Sequence, residues 1–263
     1  MSLWKGTLPA AGEDETIDYI GNGRFLVLQS KSGYRFSIDA LLLGGFVRAK
    51  ACQRVLEIGA GNGVALISLL SRSEVKDAVG LEIQPRLAAL AERNLLLNGL
   101  QARAKIVCRD VTSYANEMRS KGDFDVIFFN PPYRCVRSGT SSPDMEKAIA
   151  KHEIRGSLDS FLRAARRVLV PKGEIFFIYP AAYLSKTIAV LQANKMVAAE
   201  MLFVHSRIDS PACLVLICAS KSRHERSRVL PPFYIYAKTG SHYTLPAQRL
   251  FNDFCLFPTD GAE

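Results

Sequence analysis

A secretory signal, a membrane span and a metal site are all missing from this sequence. The first residues, Met1-Ser2-Leu3-Trp4-Lys5-Gly6, lack the apolar core of a signal peptide. No apolar run approaches the roughly 18 residues that cross a bilayer. The six cysteines, at 52, 108, 135, 213, 218 and 255, contain no Cys-x-x-Cys pair, which argues against a zinc site. They are expected to be reduced, mostly buried thiols in a cytoplasmic protein. Internal repeats and low-complexity tracts are absent as well. What is there is 263 residues at 48% hydrophobic content, enough for one sizeable core but not for two large domains. Acidic residues fall short of basic ones, 25 against 34, giving a net charge of +9 and a pI near 9.3. That balance favours a polyanionic partner without naming it.

Apolar runs and helical stretches alternate from residue 51 to 220, the pattern of a mostly parallel sheet with helices on both faces. Arg54 to Ile58 reads as a buried strand, Gly59-Ala60-Gly61-Asn62-Gly63 as a tight turn, and Val64 to Leu70 as the helix it opens. Glycines there tolerate positive φ and let a ligand approach the backbone, and the helix start offers unpaired N–H groups. A second strand, Asp77 to Leu81, ends in Glu82 before a helix from Pro85 to Asn98. An acid at that strand end, about 20 residues past the glycine turn, is placed to accept from ribose hydroxyls. Its competing role is a first-turn acid favoured by the helix dipole. A third strand, Ala104 to Cys108, leads to Asp110, which either accepts from an adenine amino group or caps a short helix. Glu57, inside the first strand, is costly to bury unpaired and asks for a cationic partner, either a ligand ammonium or a structural Arg such as Arg54.

A fourth strand, Asp125 to Phe129, runs into Asn130-Pro131-Pro132-Tyr133. The Asn side-chain carbonyl, a proline-fixed backbone carbonyl and an aromatic face together grip a planar NH2 group. Ligands of open α/β sheets bind beyond the carboxyl ends of the strands, which puts the glycine turn, Glu82, Asp110 and Asn130 along one edge. His152, a lone loop histidine, is left out of the catalytic set.

Taken in order, Glu57-Ile58-Gly59-Ala60-Gly61-Asn62-Gly63, Glu82, Asp110 and Asn130-Pro131-Pro132-Tyr133 resemble the S-adenosylmethionine-dependent methyltransferases with a Rossmann-like fold. The tetrapeptide resembles their amino-nitrogen branch. The flanks, Tyr34-Arg35-Phe36-Ser37-Ile38-Asp39-Ala40-Leu41-Leu42-Leu43 and Tyr243-Thr244, are similar to the bacterial tRNA(Val) adenine-N6 methyltransferases. The resemblance spans roughly Arg24 to Phe254. It implies a seven-stranded, mostly parallel sheet with an antiparallel final strand, preceded by a short hairpin and helix. It also implies S-adenosylmethionine held by Glu57, Gly59, Ala60, Gly61, Asn62, Gly63, Glu82, Asp110 and Asn130. Catalysis falls to Asn130, Pro131, Pro132 and Tyr133, and the substrate is an adenosine of tRNA, near the anticodon. No metal and no membrane enter this scheme, and a monomer is the default state.

Residues 1–22, with Glu13, Asp14, Glu15 and Asp18, read as a poorly ordered lead-in. Residues 23–263 read as one methyltransferase domain: hairpin and helix to 50, core from 51 to 220, basic extension from 221. The hairpin is expected between Arg24–Gln29 and Gly33–Phe36, around Ser30-Lys31-Ser32, and Ser37 or Asp39 caps the helix after it. A polar insertion, 134–155, with Arg134, Arg137, Lys147, Lys151 and Arg155, reads as a substrate loop beside the site. Lys221 to Arg228 is a further cationic run that by itself reads as a solvated loop. Beyond 155, a helix from Ser157 to Val170 stops at Pro171-Lys172-Gly173, and the strand Glu174 to Tyr179 follows. A helix from Ala182 to Asn194 then precedes the strands Ala198 to His205 and Ala212 to Ala219.

Release-factor glutamine methyltransferases share the cofactor turn and the tetrapeptide but carry a sizeable helical domain ahead of them, where this sequence has about 50 residues. Ribosomal RNA guanine-N2 methyltransferases often add a duplicated leading domain. DNA methyltransferases normally need a larger target-recognition region. A cofactor-binding RNA chaperone could keep the fold without turnover; loss of the Asn or the glycine turn would favour it, and both are intact here.

Overall fold

The structure is a computed structural model that describes residues 11–32, 35–117, 123–132, 157–221 and 226–257. A hairpin of β1 (Glu15–Ile20) and β2 (Phe25–Ser30) comes first, then α1 (Ile38–Phe46). The core follows as β3 (Arg54–Ile58), α2 (Val64–Ser71), β4 (Asp77–Glu82), α3 (Pro85–Leu97), β5 (Ala104–Cys108), α4 (Val111–Glu117) and β6 (Phe124–Phe129). After the undescribed stretch come α5 (Leu158–Val168), β7 (Leu169–Pro180), a 3₁₀ turn (Ala181–Tyr183), α6 (Leu184–Ala193), β8 (Val197–His205) and β9 (Ala212–Ser220). Two short strands, β10 (Arg228–Val229) and β11 (Phe233–Tyr234), and α7 (Leu245–Asp253) complete the described chain.

Strands β5, β4, β3, β6 and β7 pair in parallel in that order, and β9 lies between β7 and β8, antiparallel to both. The expected seven-strand plan is present, and β10 and β11 extend it by pairing in parallel with β8. Alternation along each strand feeds two cores. Val55, Val126, Phe128, Phe176 and Ile178 face one side with α1, α2 and α7, while Leu56, Ile58, Ile127, Phe129 and Phe177 face the other with α5. Helix α2 is buried on every side, Ser68 included, as expected of a helix apolar all round. Helix α5 is amphipathic, capped by Ser157 at the Ser160 amide, with Asp159 in its first turn and Arg166 and Arg167 in its last.

Three expectations are corrected. The hairpin joins Glu15–Ile20 to Phe25–Ser30, one strand earlier than the sequence reading placed it. Its turn is Gly21-Asn22-Gly23, all three at positive φ, a stronger turn signal than Ser30-Lys31-Ser32. Residues 15–20 are therefore a strand and not part of a poorly ordered lead-in. Their acidic residues are held by arginines, Glu15 by both terminal nitrogens of Arg93 at 2.6 and 2.9 Å and Asp18 by Arg35 at 2.8 Å, and Asp14 just before the strand is held by Arg86. Second, Pro171-Lys172-Gly173 does not separate a helix from a strand. The helix ends at Val168, and β7 absorbs the three residues at a register shift opposite Phe124–Val126. Third, the thiols among the described residues are not mostly buried: Cys52, Cys108 and Cys213 are exposed, Cys255 is intermediate and Cys218 is buried. Lying in or next to a strand does not decide which face a side chain takes.

Besides Arg86 and Arg93 of α3, two asparagine side chains fasten the hairpin to that helix. The Leu28 N–H donates to Asn94 Oδ1 at 2.7 Å and Asn94 Nδ2 donates to Leu28 O at 3.1 Å. One helical turn on, Leu26 N–H donates to Asn98 Oδ1 at 2.9 Å and Asn98 Nδ2 donates to Leu26 O at 2.8 Å. Two primary amides four residues apart on a helix thus meet alternate backbone positions of β2, standing in for a neighbouring strand.

Candidate active site

The glycine turn is built by φ values of +73° at Gly59, +58° at Gly61 and +85° at Gly63, a region in which a side chain is strained. The amides of Gly59 and Ala60 both donate to Leu81 O at 2.8 Å, tying the turn to the end of β4. Gly63 N–H donates to Ala60 O at 2.8 Å and Gly63 O accepts from Ile67 N–H, which opens α2. Asn62 is buried; its carbonyl accepts from Asn94 Nδ2 at 2.9 Å and its amide lies 3.4 Å from Gln29 Oε1. The same asparagine that fastens the hairpin therefore also holds the turn.

Glu82 accepts the Gly61 N–H at 2.8 Å on one oxygen and the Gln84 N–H at 2.9 Å on the other. A carboxylate oxygen has two acceptor sites, so each can still take a ribose hydroxyl. Glu57 is 4% exposed. Arg54 is turned away from it, toward Asp77 at 2.6 Å and the Asp123 carbonyl at 3.1 Å. Burial pushes the Glu57 carboxyl well above its ordinary value, the charge of Glu82 adds to the rise, and a backbone hydrogen bond at Leu66 works against it. Its Oε2 has no hydrogen-bond partner among the described residues. Opposite Glu57 in the register stands Gly80, where a Cβ would lie 2.7 Å from Ile106 and 3.1 Å from Ala60.

The strand registers put the ends of β5, β4, β3 and β6 in one row. Cys108 pairs with Glu82, Leu81 with Ile58, and Ile58 with Phe129, so Glu82, Gly59 and Asn130 follow at the same level. Asn130 Oδ1 is buried with no hydrogen-bond partner among the described residues. Pro131 is buried and Pro132 exposed. Asp110 Oδ1 accepts from the Thr112 and Ser113 amides, both at 3.0 Å, so one of its oxygens caps α4. Tyr133, His152 and the 134–155 segment with its basic residues lie outside the described residues. Lys221 and Arg228 lie toward the opposite edge: Lys221 follows the end of β9, and Arg228 pairs with Glu200 in the middle of β8.

The row fits S-adenosylmethionine on the chain's own chemistry. A glycine cradle, a strand-end acid and a buried carboxyl without a counter-charge suit a nucleoside that carries cationic groups. Asn94, Gln29 and Gly80 belong to this construction and were not picked out from sequence. Asn94 and Asn98 on an otherwise apolar face of α3 were the available signal. Among the described residues, no group of three or more His, Cys, Asp or Glu is placed to hold a metal ion, and no helix is long and apolar enough to cross a membrane.

Sheet order, glycine turn and strand-end acid together define a class I methyltransferase of the Rossmann-like kind. The family model for the methyltransferase small domain matches residues 37–203, more than half of the chain. The chain belongs to that family and is an S-adenosylmethionine-dependent methyltransferase. It is similar to a Shewanella halifaxensis protein named tRNA1(Val) (adenine(37)-N6)-methyltransferase, 28% identical over 242 residues that cover 88% of this chain and 96% of the relative. A Parabacteroides distasonis protein of the same name is 27% identical, over 86% of this chain and 89% of its own. Among solved structures, a predicted O-methyltransferase from Agrobacterium tumefaciens shares the fold with a TM-score of 0.66 at 22% identity, covering 84% of this chain and 99% of that one.

Proposed function

We propose that this enzyme methylates the exocyclic N6 of an adenosine in tRNA, near the anticodon of a valine tRNA as the names of its relatives suggest. The observation that carries the reading is the Asn130 side-chain carbonyl, buried without a partner among the described residues and at the level of Gly59. A dehydrated acceptor costs free energy until a donor reaches it, and an adenine amino group supplies two N–H donors. Asn130 Oδ1 takes one and the Pro131 carbonyl the other. The nitrogen is then free to become tetrahedral, and its lone pair, otherwise delocalised into the ring, points at the cofactor. When bound, S-adenosylmethionine supplies an electrophilic methyl group for in-line displacement. Tyr133 is assigned the face of the base by its chemistry. No strong base is required before attack, since the amino proton becomes acidic once the nitrogen carries positive charge, and positioning supplies much of the rate.

The test is transfer of labelled methyl from S-adenosylmethionine to unmodified total RNA and, separately, to total protein, followed by mass analysis of the modified nucleoside. The expected product is N6-methyladenosine in the tRNA fraction. Asn130→Ala should lower transfer by about 10²-fold or more, with a much smaller loss of cofactor affinity by calorimetry. Label in a release factor and none in RNA overturns the reading in favour of a glutamine amide.

A further inference from the structure

We infer that a strip of aromatic and cationic side chains beyond the ends of β7 and β8, built on Arg207, Tyr236 and Tyr243, binds unpaired nucleotides flanking the target base. This rests on the RNA reading above and extends it to a second contact region. In the sheet order β6, β7, β9, β8, the end of β8 lies three strand spacings from the end of β6, about 14 Å away. Because β9 is antiparallel, its start is on the same edge, with His205 opposite Ala212 and Pro180 opposite Leu214.

The chain returns to this edge after β10. Phe233 and Tyr234 pair with Val204 and His205, and the Ile235 and Tyr236 amides donate to His205 O and Ser206 O at 3.0 and 2.9 Å. A small hairpin follows, closed by Ala237 N–H to His242 O at 2.8 Å and Thr244 N–H to Ile235 O at 3.0 Å. Across it the Tyr236 and Tyr243 rings stack, 5.2 Å apart at 18°, and Phe251 backs Tyr243 at 4.6 Å. The Arg207 guanidinium lies 5.3 Å from the Tyr236 ring centroid and donates to Ala237 O at 2.7 Å.

Packing within the hairpin explains Tyr236. It does not explain why Tyr243 keeps 42% of its surface in solvent, or why Tyr183 at the end of β7 and Ile208 beyond β8 are also exposed large apolar residues on this edge. The returning segment carries basic residues and no acid. From Leu230 to Phe251 there is no aspartate or glutamate, against Lys238 on the hairpin and Arg249 on α7, and Asp209 in the turn after β8 is the acid nearest Arg207 in the chain. Exposed rings next to cations, pre-ordered by a rigid hairpin, match the way unpaired bases and their phosphates are bound.

The experiment uses the full chain with a fluorescein-labelled anticodon stem-loop RNA, anisotropy for binding, steady-state methylation, and calorimetry with S-adenosylmethionine. Tyr243→Ala should weaken RNA binding and raise the RNA KM by about tenfold, with kcat at saturating RNA and cofactor affinity unchanged, and Tyr243→Phe should restore both. Should Tyr243→Ala unfold, Lys238→Glu at the exposed hairpin tip gives the same readout. RNA affinity unmoved by Tyr243→Ala and Lys238→Glu, in an enzyme that methylates RNA, overturns the strip and leaves the function standing. A wild-type protein that neither binds nor methylates RNA overturns both.

Discussion

Glu57 sits where a carboxylate is costly: buried, beside Glu82, and without the Arg54 partner that its neighbourhood in sequence suggested. The sequence alone raised the question of its partner but could not answer it, because Arg54 and Glu57 lie on one strand while the arginine's true partners, Asp77 and Asp123, come from elsewhere. An unfolded glutamate gives up its proton near pH 4.3, whereas the folded Glu57 carboxyl keeps it to higher pH. Between those points the native state binds more protons than the unfolded chain, so this residue's contribution is present at low pH and stability falls as pH rises through the window. Glu57→Gln should therefore raise the melting temperature of the cofactor-free protein by a few degrees at pH 8 and leave it nearly unchanged at pH 4. The same variant should bind S-adenosylmethionine about tenfold or more weakly, since a neutral amide gives up the charge-assisted bond. Scanning fluorimetry across pH and calorimetry check both effects. A variant less stable than wild type at pH 8 would mean that Glu57 is already ionised and paired in the free protein.

At the level of elements, sequence periodicity located β3, α2, β4 and β5 closely, because each is short, largely apolar and punctuated by glycine or a strand-end charge, and α3 because its apolar residues recur at helical spacing behind Pro85. It misplaced the hairpin because what orders Glu15–Ile20 is distant: Arg93 for Glu15, Arg86 for Asp14 just before the strand, and the asparagines at 94 and 98 for β2. Contacts 66 and 72 residues apart in the chain leave no local period. Asn94 is the test of that account, since its amide serves Leu28 N–H, Leu28 O and Asn62 O at once. Asn94→Ala strands those buried groups and should cost about 3 kcal/mol, a fall in melting temperature on the order of 6–12 °C. Cofactor affinity should fall with it, because Asn62 belongs to the glycine turn. Asn98→Ala, whose bonds are only part-buried and do not reach the turn, should cost less and leave cofactor affinity alone. Equal losses of cofactor affinity in the two variants would show that the hairpin as a whole, and not the Asn94 bridge, supports the turn.

Across the whole molecule, a net charge of +9 says nothing about which surface is used, and the described ends of the most conspicuous basic run, Lys221 and Arg226 to Arg228, lie away from Asn130. Lys221 follows the end of β9, at the amino-terminal edge of the parallel strands, and Arg228 is paired with Glu200. Lys238, by contrast, tops the hairpin held at the end of β8. RNA bound along the carboxyl edge should thus feel the two groups differently. Binding should weaken with salt, and each lost phosphate contact should reduce the log–log slope by about 0.7–0.9. Lys238→Ala should reduce the slope by up to that amount, while Arg226→Ala, lying toward the far edge, should leave it unchanged. Fluorescence anisotropy with the stem-loop RNA over a salt series measures both slopes. Equal reductions would mean that the RNA wraps both edges of the sheet and that binding is set by overall charge, whereas a change confined to Lys238 ties the RNA to the edge that carries Asn130.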